Sequence, residues 1–325
     1  MRIVLDAMGS DDHPGPELEA AEEAFQLWGE RVTVTGPVEH LSSRVDASRI
    51  EIIDAPDILE MDEKPAVAAK KKPNSSMAVG MRMLKQGEAD AFVTMGNTGG
   101  AMATALFQLG RIKGVRRPAL SPVFPVRDGS TVVIDIGANT DCRPEYLLQF
   151  GIMGSIFAEI FLERTNPRVA LLSTGEEEGK GNMLVGDADT LLRTSGLNYI
   201  GNVEPRELYD GEADVVVTDG FSGNIFLKTS EAVAAHLVDL IRTEIKASPI
   251  TAAGGYLARP ALSRVGKIMD PSEYGAVPLL GVNGLVFIGH GRSNAHAIVS
   301  ALRATRKAVS GGLMEALREG IGELL

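Results

Sequence analysis

The feature that most constrains the fold is a repeated alternation of short apolar or β-branched runs with longer segments of helical periodicity. The short runs lie at residues 2–5, 32–35, 51–53, 91–94, 131–134, 169–173, 215–218 and 285–288. The helical segments lie at residues 17–27, 76–86, 101–109, 145–163, 187–193, 223–246 and 293–309. Strands that alternate with helices are typical of a parallel sheet covered on both faces. The sequence therefore predicts an α/β fold with a three-layer α/β/α open sheet.

Length and composition restrict the class of protein further. The chain has 325 residues, 44% of them hydrophobic, which is enough for a buried core without covalent cross-links. Its single cysteine, Cys142, excludes a disulfide scaffold and a cysteine-built zinc site, and we interpret it as a buried, inert thiol. The net charge of −11 argues against non-specific binding of nucleic acid. We expect a single α/β catalytic unit over residues 1–325.

No segment predicts export or membrane insertion. The first apolar run reaches Asp6 too early for the core of a signal peptide, and the longest apolar stretch, residues 151–162, is interrupted by Glu159. The expected location is the cytoplasm. Peripheral contact with a membrane surface is compatible with this expectation.

Loops of small and polar residues follow five of the predicted strands. Because open parallel sheets bind ligands beyond the carboxyl ends of their strands, five such loops suggest one shared site. Acidic residues at strand ends could instead hydrogen-bond the N–H groups of their own loops. We predict no metal site, since convergent hard ligands are not evident. The candidate substrate-binding residues in the first three loops are Asp6, Gly9, Asn97, Thr98, Asp135 and Asn139.

The loop at residues 175–182 combines three glutamates with a lysine set between glycines. Glycine N–H groups and Lys180 would together suit a phosphate, and Glu176 and Glu177 could hold the lysine or a neighbouring loop. The alternative is a solvated acidic loop in which Lys180 pairs locally.

Three polar segments begin predicted helices, where backbone N–H groups favour an anion. The alternative is helix capping with no ligand, by Ser222 or Gly223 in the segment that starts at residue 219, and for the serine pair capping is slightly favoured. A separate candidate, His290, follows an apolar strand and could act as a general acid or base, or be purely structural. The helix-start candidates are Ser75 and Ser76, Asn97 and Thr98, and Asp219 and Asn224.

Residues 228–274 predict an amphipathic helical hairpin. Between residues 242 and 269 the chain carries five basic residues and one acidic residue, against its overall charge of −11. Such a hairpin suits a membrane surface or an acidic partner, and equally a dimer interface with solvated basic residues. The apolar residues are Val233, Leu237, Ile241 and Ile245 in the first arm, and Leu257, Leu262, Val265, Ile268 and Met269 in the second.

In the order of these loops, the chain resembles the bacterial phosphate acyltransferases of the PlsX type. It departs from the family pattern at Ser10 in the first loop, at residues 34–37, and at Ser173 and Thr174. The matching motifs run nearly end to end and lie at residues 5–9, 61–65, 71–77, 96–99, 109–112, 117–120, 135–139, 149–150, 175–177, 180–182, 201–204, 219–221, 223–224, 279–284 and 290–291.

The resemblance implies transfer of a long-chain fatty acyl group from acyl carrier protein to inorganic phosphate. The acyl phosphate product would then serve phospholipid synthesis, through acylation of glycerol 3-phosphate by a downstream acyltransferase. A thiolate leaves readily, so phosphate would attack directly, with no covalent enzyme intermediate and no cofactor. The resemblance also implies the isocitrate/isopropylmalate dehydrogenase-like fold, a homodimer and a peripheral membrane position.

The resemblance also suggests roles for the site residues. Lys180 would stabilise phosphate or the oxyanion, His290 would handle the proton at the leaving thiol, and Asp219 would orient a donor. Four asparagines would position phosphate or carbonyl, and Ser75 and Ser76 would be secondary phosphate contacts. The asparagines are Asn97, Asn139, Asn182 and Asn224.

Acyl carrier protein is strongly acidic, so an acidic enzyme must meet it with a local basic surface. The candidates are residues 70–72, residues 111–117 and the hairpin. Three other functions stay open from the sequence. They are an acyl-CoA phosphotransacylase, a hydride-transfer enzyme on the same fold, and a non-catalytic scaffold that docks carrier protein and membrane.

Overall fold

The computed structural model describes residues 1–268, 270–273 and 275–324, and over those residues it contains twelve strands in two sheets. The strands are β1 (Ile3–Asp6), β2 (Val32–Gly36), β3 (Ile50–Asp54), β4 (Ala91–Thr94), β5 (Ala119–Leu120), β6 (Val123–Val126), β7 (Gly129–Ile134), β8 (Val169–Leu172), β9 (Tyr199–Val203), β10 (Val215–Val217), β11 (Ala276–Leu280) and β12 (Leu285–Gly289).

Twelve α-helices lie within the same described residues. They are α1 (Gly15–Trp28), α2 (Val38–Leu41), α3 (Pro65–Lys71), α4 (Ser76–Gln86), α5 (Thr98–Gln108), α6 (Pro144–Phe161), α7 (Met183–Arg193), α8 (Pro205–Asp210), α9 (Gly220–Lys246), α10 (Pro249–Ile268), α11 (Ala295–Ser310) and α12 (Leu313–Leu324).

The predicted α/β class is confirmed, with the strands divided between two sheets. The first sheet has the order β3-β2-β1-β4-β12-β11-β5 and the second the order β6-β7-β10-β8-β9. Neighbours within each sheet are parallel except at β11 and β5 in the first and at β6 in the second. The chain crosses between the sheets at two adjacent residues. The N–H of Ser121 donates to Pro278 of β11, whereas the carbonyl of Pro122 accepts from Val133 of β7.

All eight predicted strands are present, and four more were not predicted. The additional strands β6 and β11 contain Pro125 and Pro278, and β9 contains Gly201 with a φ of 100°. Proline and glycine both weaken the sequence signal of a strand. The fourth, β5, has two residues and carries no periodicity of its own.

Both faces of the sheets are covered, as the apolar strands predict. In β1, Ile3 and Leu5 pack into one hydrophobic cluster and Val4 into the other, because successive strand residues point to opposite faces. In β7 the same alternation places Val132 and Ile134 in the first cluster and Val133 in the second. Each cluster therefore extends across both sheets. The first includes residues of α6, α11 and α12, and the second residues of α4 and α5.

The predicted hairpin is formed by α9 and α10, and residues 269 and 274 of its predicted span lie outside the described residues. The two arms pack where Gly255 meets Ile245, since a Cβ at Gly255 would lie 2.4 Å from that side chain. The first arm begins earlier than predicted, because α9 is one continuous helix of 27 residues from Gly220. Ile250 and Leu257 are 85% and 81% exposed. Over the described residues, no helix has the length and apolarity to cross a membrane.

The space around two helical glycines, Gly80 in α4 and Gly186 in α7, predicts opposite effects of alanine substitution on stability. A Cβ at Gly80 would lie 2.3 Å from the ring of Phe92, which is fully buried and has no room to move. Gly80→Ala should lower the free energy of unfolding by about 1–3 kcal/mol, measured by urea denaturation. Gly186 in α7 has no atom within 4 Å of the same position, so Gly186→Ala should raise stability by about 0.5–1 kcal/mol. Equal effects of the two substitutions would contradict this packing.

Candidate active site

The carboxyl ends of three neighbouring parallel strands define one part of the site. Strands β7, β10 and β8 lie side by side, and the loops that follow them are residues 135–139, 218–220 and 173–182. Adjacent strands are about 4.8 Å apart, so these loops share one edge of the second sheet. In the first sheet β1, β4 and β12 are likewise parallel neighbours, and their loops contain Asp6, Asn97 and His290.

Asp135 organises the loop after β7. Its buried carboxylate accepts from the N–H groups of Leu120, Gly137 and Ala138 at 3.0, 3.3 and 3.1 Å through Oδ1. Through Oδ2 it accepts from both the backbone N–H and the side-chain amide of Asn139, at 2.7 and 2.9 Å. Burial raises the pKa of Asp135, and these donors oppose that rise. The carboxylate thus holds its own loop.

The start of α9 packs directly on that loop. A Cβ at Gly223 would lie 2.0 Å from the carbonyl oxygen of Asp135, and one at Gly220 would lie 2.6 Å from that of Asn139. Only glycine permits this approach. Asp219 caps the helix, because its Oδ1 accepts from the N–H groups of Phe221 and Ser222 at 3.0 and 2.9 Å. The predicted caps, Ser222 and Gly223, lie instead inside the first turn, because the helix begins at Gly220.

Asn224 is the first exposed amide inside α9. Its side chain lies 3.7 Å from the position that a Cβ on Gly137 would take, so it faces the Asp135 loop. Asn139, in contrast, is engaged on both sides, since its amide donates to Pro118 at 2.8 Å as well as to Asp135. Of the two asparagines, Asn224 is the one that is exposed.

Lys180 folds back over its own loop. A Cβ at Gly175 would lie 2.9 Å from Cγ of Lys180, so the glycine gives room for the aliphatic part of the lysine. The backbone N–H of Lys180 donates to Glu177 at 3.2 Å, which closes the turn. Asn182 then caps α7, accepting from Val185 at 3.0 Å. The ammonium is exposed at the edge of the second sheet.

The two glutamates of this loop contact neighbouring elements. A hydrogen bond and repulsion with Glu207 of α8 raise the pKa of Glu176. The carbonyl of Glu177 accepts from Asn202 of β9 at 3.4 Å. The Glu177 contact is made by its backbone carbonyl, and Glu176 and Glu207 repel each other when both are ionised. The roles of the two side chains in holding Lys180 or a neighbouring loop therefore stay predictions.

In the first sheet, Asp6 has the position that Asp135 has in the second. Its fully buried carboxylate accepts from the N–H of Met8 at 3.0 Å and from the hydroxyl of Thr94 at 2.7 Å. Burial raises the pKa of Asp6, and hydrogen bonds from Ser76, Thr94 and Met8 oppose it. Gly9 is required nearby, since a Cβ there would lie 2.8 Å from the backbone N of Met95.

The serine and asparagine candidates of the first sheet act as caps or are buried. The hydroxyl of Ser75 is buried and accepts from Ala78 at 3.3 Å, and Ser76 is also buried. Asn97 caps α5 by accepting from Gly100 at 2.9 Å, while its amide donates to the carbonyl of Met61 at 2.7 Å. Thr98 is exposed at the first turn of α5 and so faces solvent.

His290 lies against α9, a contact that sequence reasoning missed. Its Nε2 is 3.8 Å from Oε1 of Glu231, and Lys228 donates to Oε2 of the same glutamate at 2.9 Å. Partial burial and Lys228 lower the pKa of His290, and Glu231 opposes them. The imidazole is therefore neutral at neutral pH and can accept a proton. Nothing local in the sequence relates β12 to the middle of α9.

The predicted residues form groups that are linked by α9. From Gly220 at the second sheet to Glu231 beside His290 the helix rises about 16 Å. Within the described residues, no hydrogen bond or ion pair joins Lys180 to His290. The same part of the chain contains no cluster of three or more residues suited to a metal ion. The loop edge of the second sheet thus lies at the start of α9, and His290 lies beside the middle of the same helix.

Cys142 borders the site and carries no reactive thiolate. Its Sγ donates to the carbonyl of Asn139 at 3.4 Å, and the side chain is half-buried. Burial raises the pKa of the thiol to about 11, so it stays protonated at neutral pH.

The fold is shared with solved structures of other α/β enzymes. A phosphotransacetylase from Streptococcus pyogenes superposes with a TM-score of 0.63 at 16% identity, covering 95% of this chain and 94% of that one. A 4-hydroxythreonine-4-phosphate dehydrogenase from Klebsiella pneumoniae superposes with a TM-score of 0.52 at 15% identity, covering 95% and 99%. These likenesses show the fold, and they confirm the predicted dehydrogenase-like architecture.

Sequence comparison then gives the family. The model described as "Fatty acid synthesis protein" matches residues 1–316. A phosphate acyltransferase from Pelotomaculum thermopropionicum is 44% identical over 325 residues, covering 99% of this chain and 95% of that protein. One from Heliobacterium modesticaldum is 45% identical over 327 residues, covering 99% and 98%. The chain belongs to the phosphate acyltransferase family of the PlsX type, and it is an enzyme.

The contacts around His290 predict opposite pKa changes for two charge-removing variants. Glu231→Gln removes the anion that favours the imidazolium, so the pKa of His290 should fall further. Lys228→Gln removes a repelling cation, so the pKa should rise. Titration of the imidazole Cε1–H signal by NMR measures both, with His40 as an internal reference far from α9. Shifts of the same sign in both variants, or equal shifts at His40, would contradict this account.

Proposed function

We propose that this enzyme transfers a long-chain fatty acyl group from acyl carrier protein to inorganic phosphate. The observation that carries the proposal is the loop edge of β7, β10 and β8, where exposed Lys180 follows β8 and exposed Asn224 faces the loop after β7. A cation and an amide at such an edge suit an anion and a developing oxyanion. The family supports the phosphate acyltransferase reaction, and the carrier-bound donor is our own extension.

The proposed reaction requires little of the enzyme beyond positioning the phosphate and the thioester. A phosphate oxygen attacks the carbonyl carbon of the thioester, a carbon–oxygen bond forms and the carbon–sulfur bond breaks. The electron pair leaves with sulfur as thiolate, which takes up the proton lost by hydrogen phosphate. Acyl phosphate and free carrier protein result, with no covalent enzyme intermediate. This would give the donor for acylation of glycerol 3-phosphate in phosphatidic acid synthesis.

The geometry suggests a division of roles between the side chains. Lys180 would hold phosphate and the oxyanion, with Asn224 turned toward the loop after β7. A role of His290 in handling the proton at the leaving thiol stays a prediction, because its neighbour Glu231 lies about 16 Å along α9 from Gly220. Asp6, Asp135 and the caps would act by holding the loops, without touching substrate.

We propose a homodimer that meets a membrane surface through the hairpin. Its exposed apolar residues include Ile250, Tyr256 and Leu257, and none of the described residues of α10 is buried. Exposed apolar area of this kind indicates contact with a partner surface, either the second copy of the chain or lipid. A peripheral position would place the acyl phosphate near a downstream membrane-bound acyltransferase.

The reaction is tested by trapping the product. The purified enzyme is mixed with palmitoyl carrier protein and phosphate, and acyl phosphate is captured with hydroxylamine as the hydroxamate. Phosphate-dependent hydroxamate and free carrier protein are expected. Product from palmitoyl-CoA alone would favour the acyl-CoA phosphotransacylase. No product from either donor, with folded enzyme, would overturn the proposal in favour of a scaffold.

Lys180→Ala should lower kcat/KM by about 10²–10³-fold, since one electrophile would be lost from the oxyanion site. Its side chain is exposed and its packing is confined to its own loop, so the melting temperature should hardly change. Lys180→Arg should recover part of the rate. Lys85→Ala, which removes an exposed lysine from the last turn of α4, is the matched control. Near-normal turnover by folded Lys180→Ala would remove this lysine from the mechanism.

A further inference from the structure

We propose that α3, the end of α5 and the segment that follows it form the docking surface for the acidic carrier protein. We call this the α3–α5 surface and define it by Val67, Lys70, Lys71, Phe107, Lys113 and Arg116. The inference rests on the proposed function, because it names where that enzyme receives its acyl donor. It combines two of the three basic segments named from the sequence, residues 70–72 and 111–117, and excludes the hairpin.

The two helices run side by side in the same direction. Near their starts, a Cβ on Gly99 of α5 would lie 2.7 Å from Pro65 of α3. Near their ends, Nζ of Lys70 lies 5.5 Å from the ring centroid of Phe107. The ammonium and the ring form a cation–π pair at the surface. The side chains at the ends of both helices therefore belong to one continuous face.

The charge of this face is opposite to that of the molecule. Residues 65–72 and 98–117 contain seven basic and no acidic residues, in a chain of net charge −11. Three of the seven are engaged: Lys72 donates to Glu63, Arg111 to the carbonyl of Arg116, and Arg117 lies over Tyr146. The other four are exposed and are Lys70, Lys71, Lys113 and Arg116. An acidic protein is the partner that complements them.

An exposed apolar centre lies among these charges. Phe107 and Val67 are 49% and 48% exposed although both are hydrophobic. Aromatic and apolar anchors surrounded by charge are typical of protein–protein interfaces, where the anchors give affinity and the charges steer the encounter. A solvated basic face would not need an exposed phenylalanine at its middle.

The position of the surface also suits a carrier-bound substrate. Helix α5 begins at the site loop that contains Asn97, and from Thr98 to Phe107 it rises about 13 Å. A carrier protein holds its thioester at the tip of a long flexible arm, so its body must dock at a distance from the reacting carbon. The shared face of α3 and α5 runs from such a docking point to the site edge.

The hairpin is a weaker candidate for this partner. Its basic residues Arg259 and Arg264 lie on α10 among apolar residues that are far more exposed, such as Leu257 at 81%. Its first arm also carries acidic Asp239 and Glu244. That balance fits an apolar or lipid surface better than an acidic protein.

The test compares charge reversals of equal size. Lys70→Glu/Lys113→Glu alters the α3–α5 surface, Arg31→Glu/Arg44→Glu is a matched control elsewhere, and Arg259→Glu/Arg264→Glu alters the hairpin. For each we would measure KM for palmitoyl carrier protein at low and high salt, binding of holo carrier protein by fluorescence anisotropy, and melting temperature. Phe107→Ala adds a variant that leaves charge unchanged.

We expect Lys70→Glu/Lys113→Glu to raise KM and Kd by at least about tenfold at low salt, with kcat and melting temperature retained. The wild-type enzyme should lose affinity for carrier protein as salt rises, and this variant should lose that dependence. Phe107→Ala should raise Kd at every salt concentration. The matched control should resemble the wild type.

Two results would overturn the inference separately. Wild-type affinity in Lys70→Glu/Lys113→Glu, with loss in the hairpin variant, would move the docking surface to the hairpin and leave the proposed function intact. Wild-type enzyme that neither binds holo carrier protein nor turns over its acyl form would instead refute the proposed function, and this surface with it.

Discussion

The carboxylate of Asp135 is the interaction on which the site depends. It follows β7 of the second sheet, yet it accepts from Leu120 of β5 in the first sheet, so one buried group joins the two sheets. Its remaining donors come from the loop at residues 137–139, against which the first turn of α9 packs. A buried carboxylate without these donors would be strongly destabilising, since both its charge and its lone pairs would be uncompensated. Sheet pairing, loop shape and helix position are therefore fixed together.

Asp6 accepts hydrogen bonds in the first sheet in the same way. Together the two acids explain why few polar side chains at the sheet edges are free to contact a substrate. Asp6 and Asp135 are consumed by their own loops, and Ser75, Asn97, Asn182 and Asp219 by helix caps. What these groups leave at the sheet edges is a small number of exposed side chains, among them Lys180 and Asn224. A reaction in which phosphate attacks a thioester would need no strong acid among them, because a thiolate is a good leaving group.

The features that local sequence patterns encode were predicted correctly. The features that depend on contacts between distant parts of the chain were missed. The eight apolar strands and the cap at Ser75 follow from periodicity and residue type, and all are present. The cap of α9 is Asp219 instead of the predicted Ser222 or Gly223. The division into two sheets depends on hydrogen bonds made by Ser121 and Pro122 to strands far along the chain, which no local pattern encodes. The pairing of His290 with Glu231 is of the same kind. Strands that carry proline were missed because proline, rare in central strands, is tolerated at these sheet positions.

Helix α9 extends from the candidate active site to the exposed hairpin. Its first turn lies on the Asp135 loop, its fourth turn carries Glu231 beside His290, and beyond that Val233, Leu237 and Ile241 form an exposed apolar face. The described helix has no proline between these points, so one continuous element runs from the loop edge of the second sheet, past His290, to the exposed hairpin.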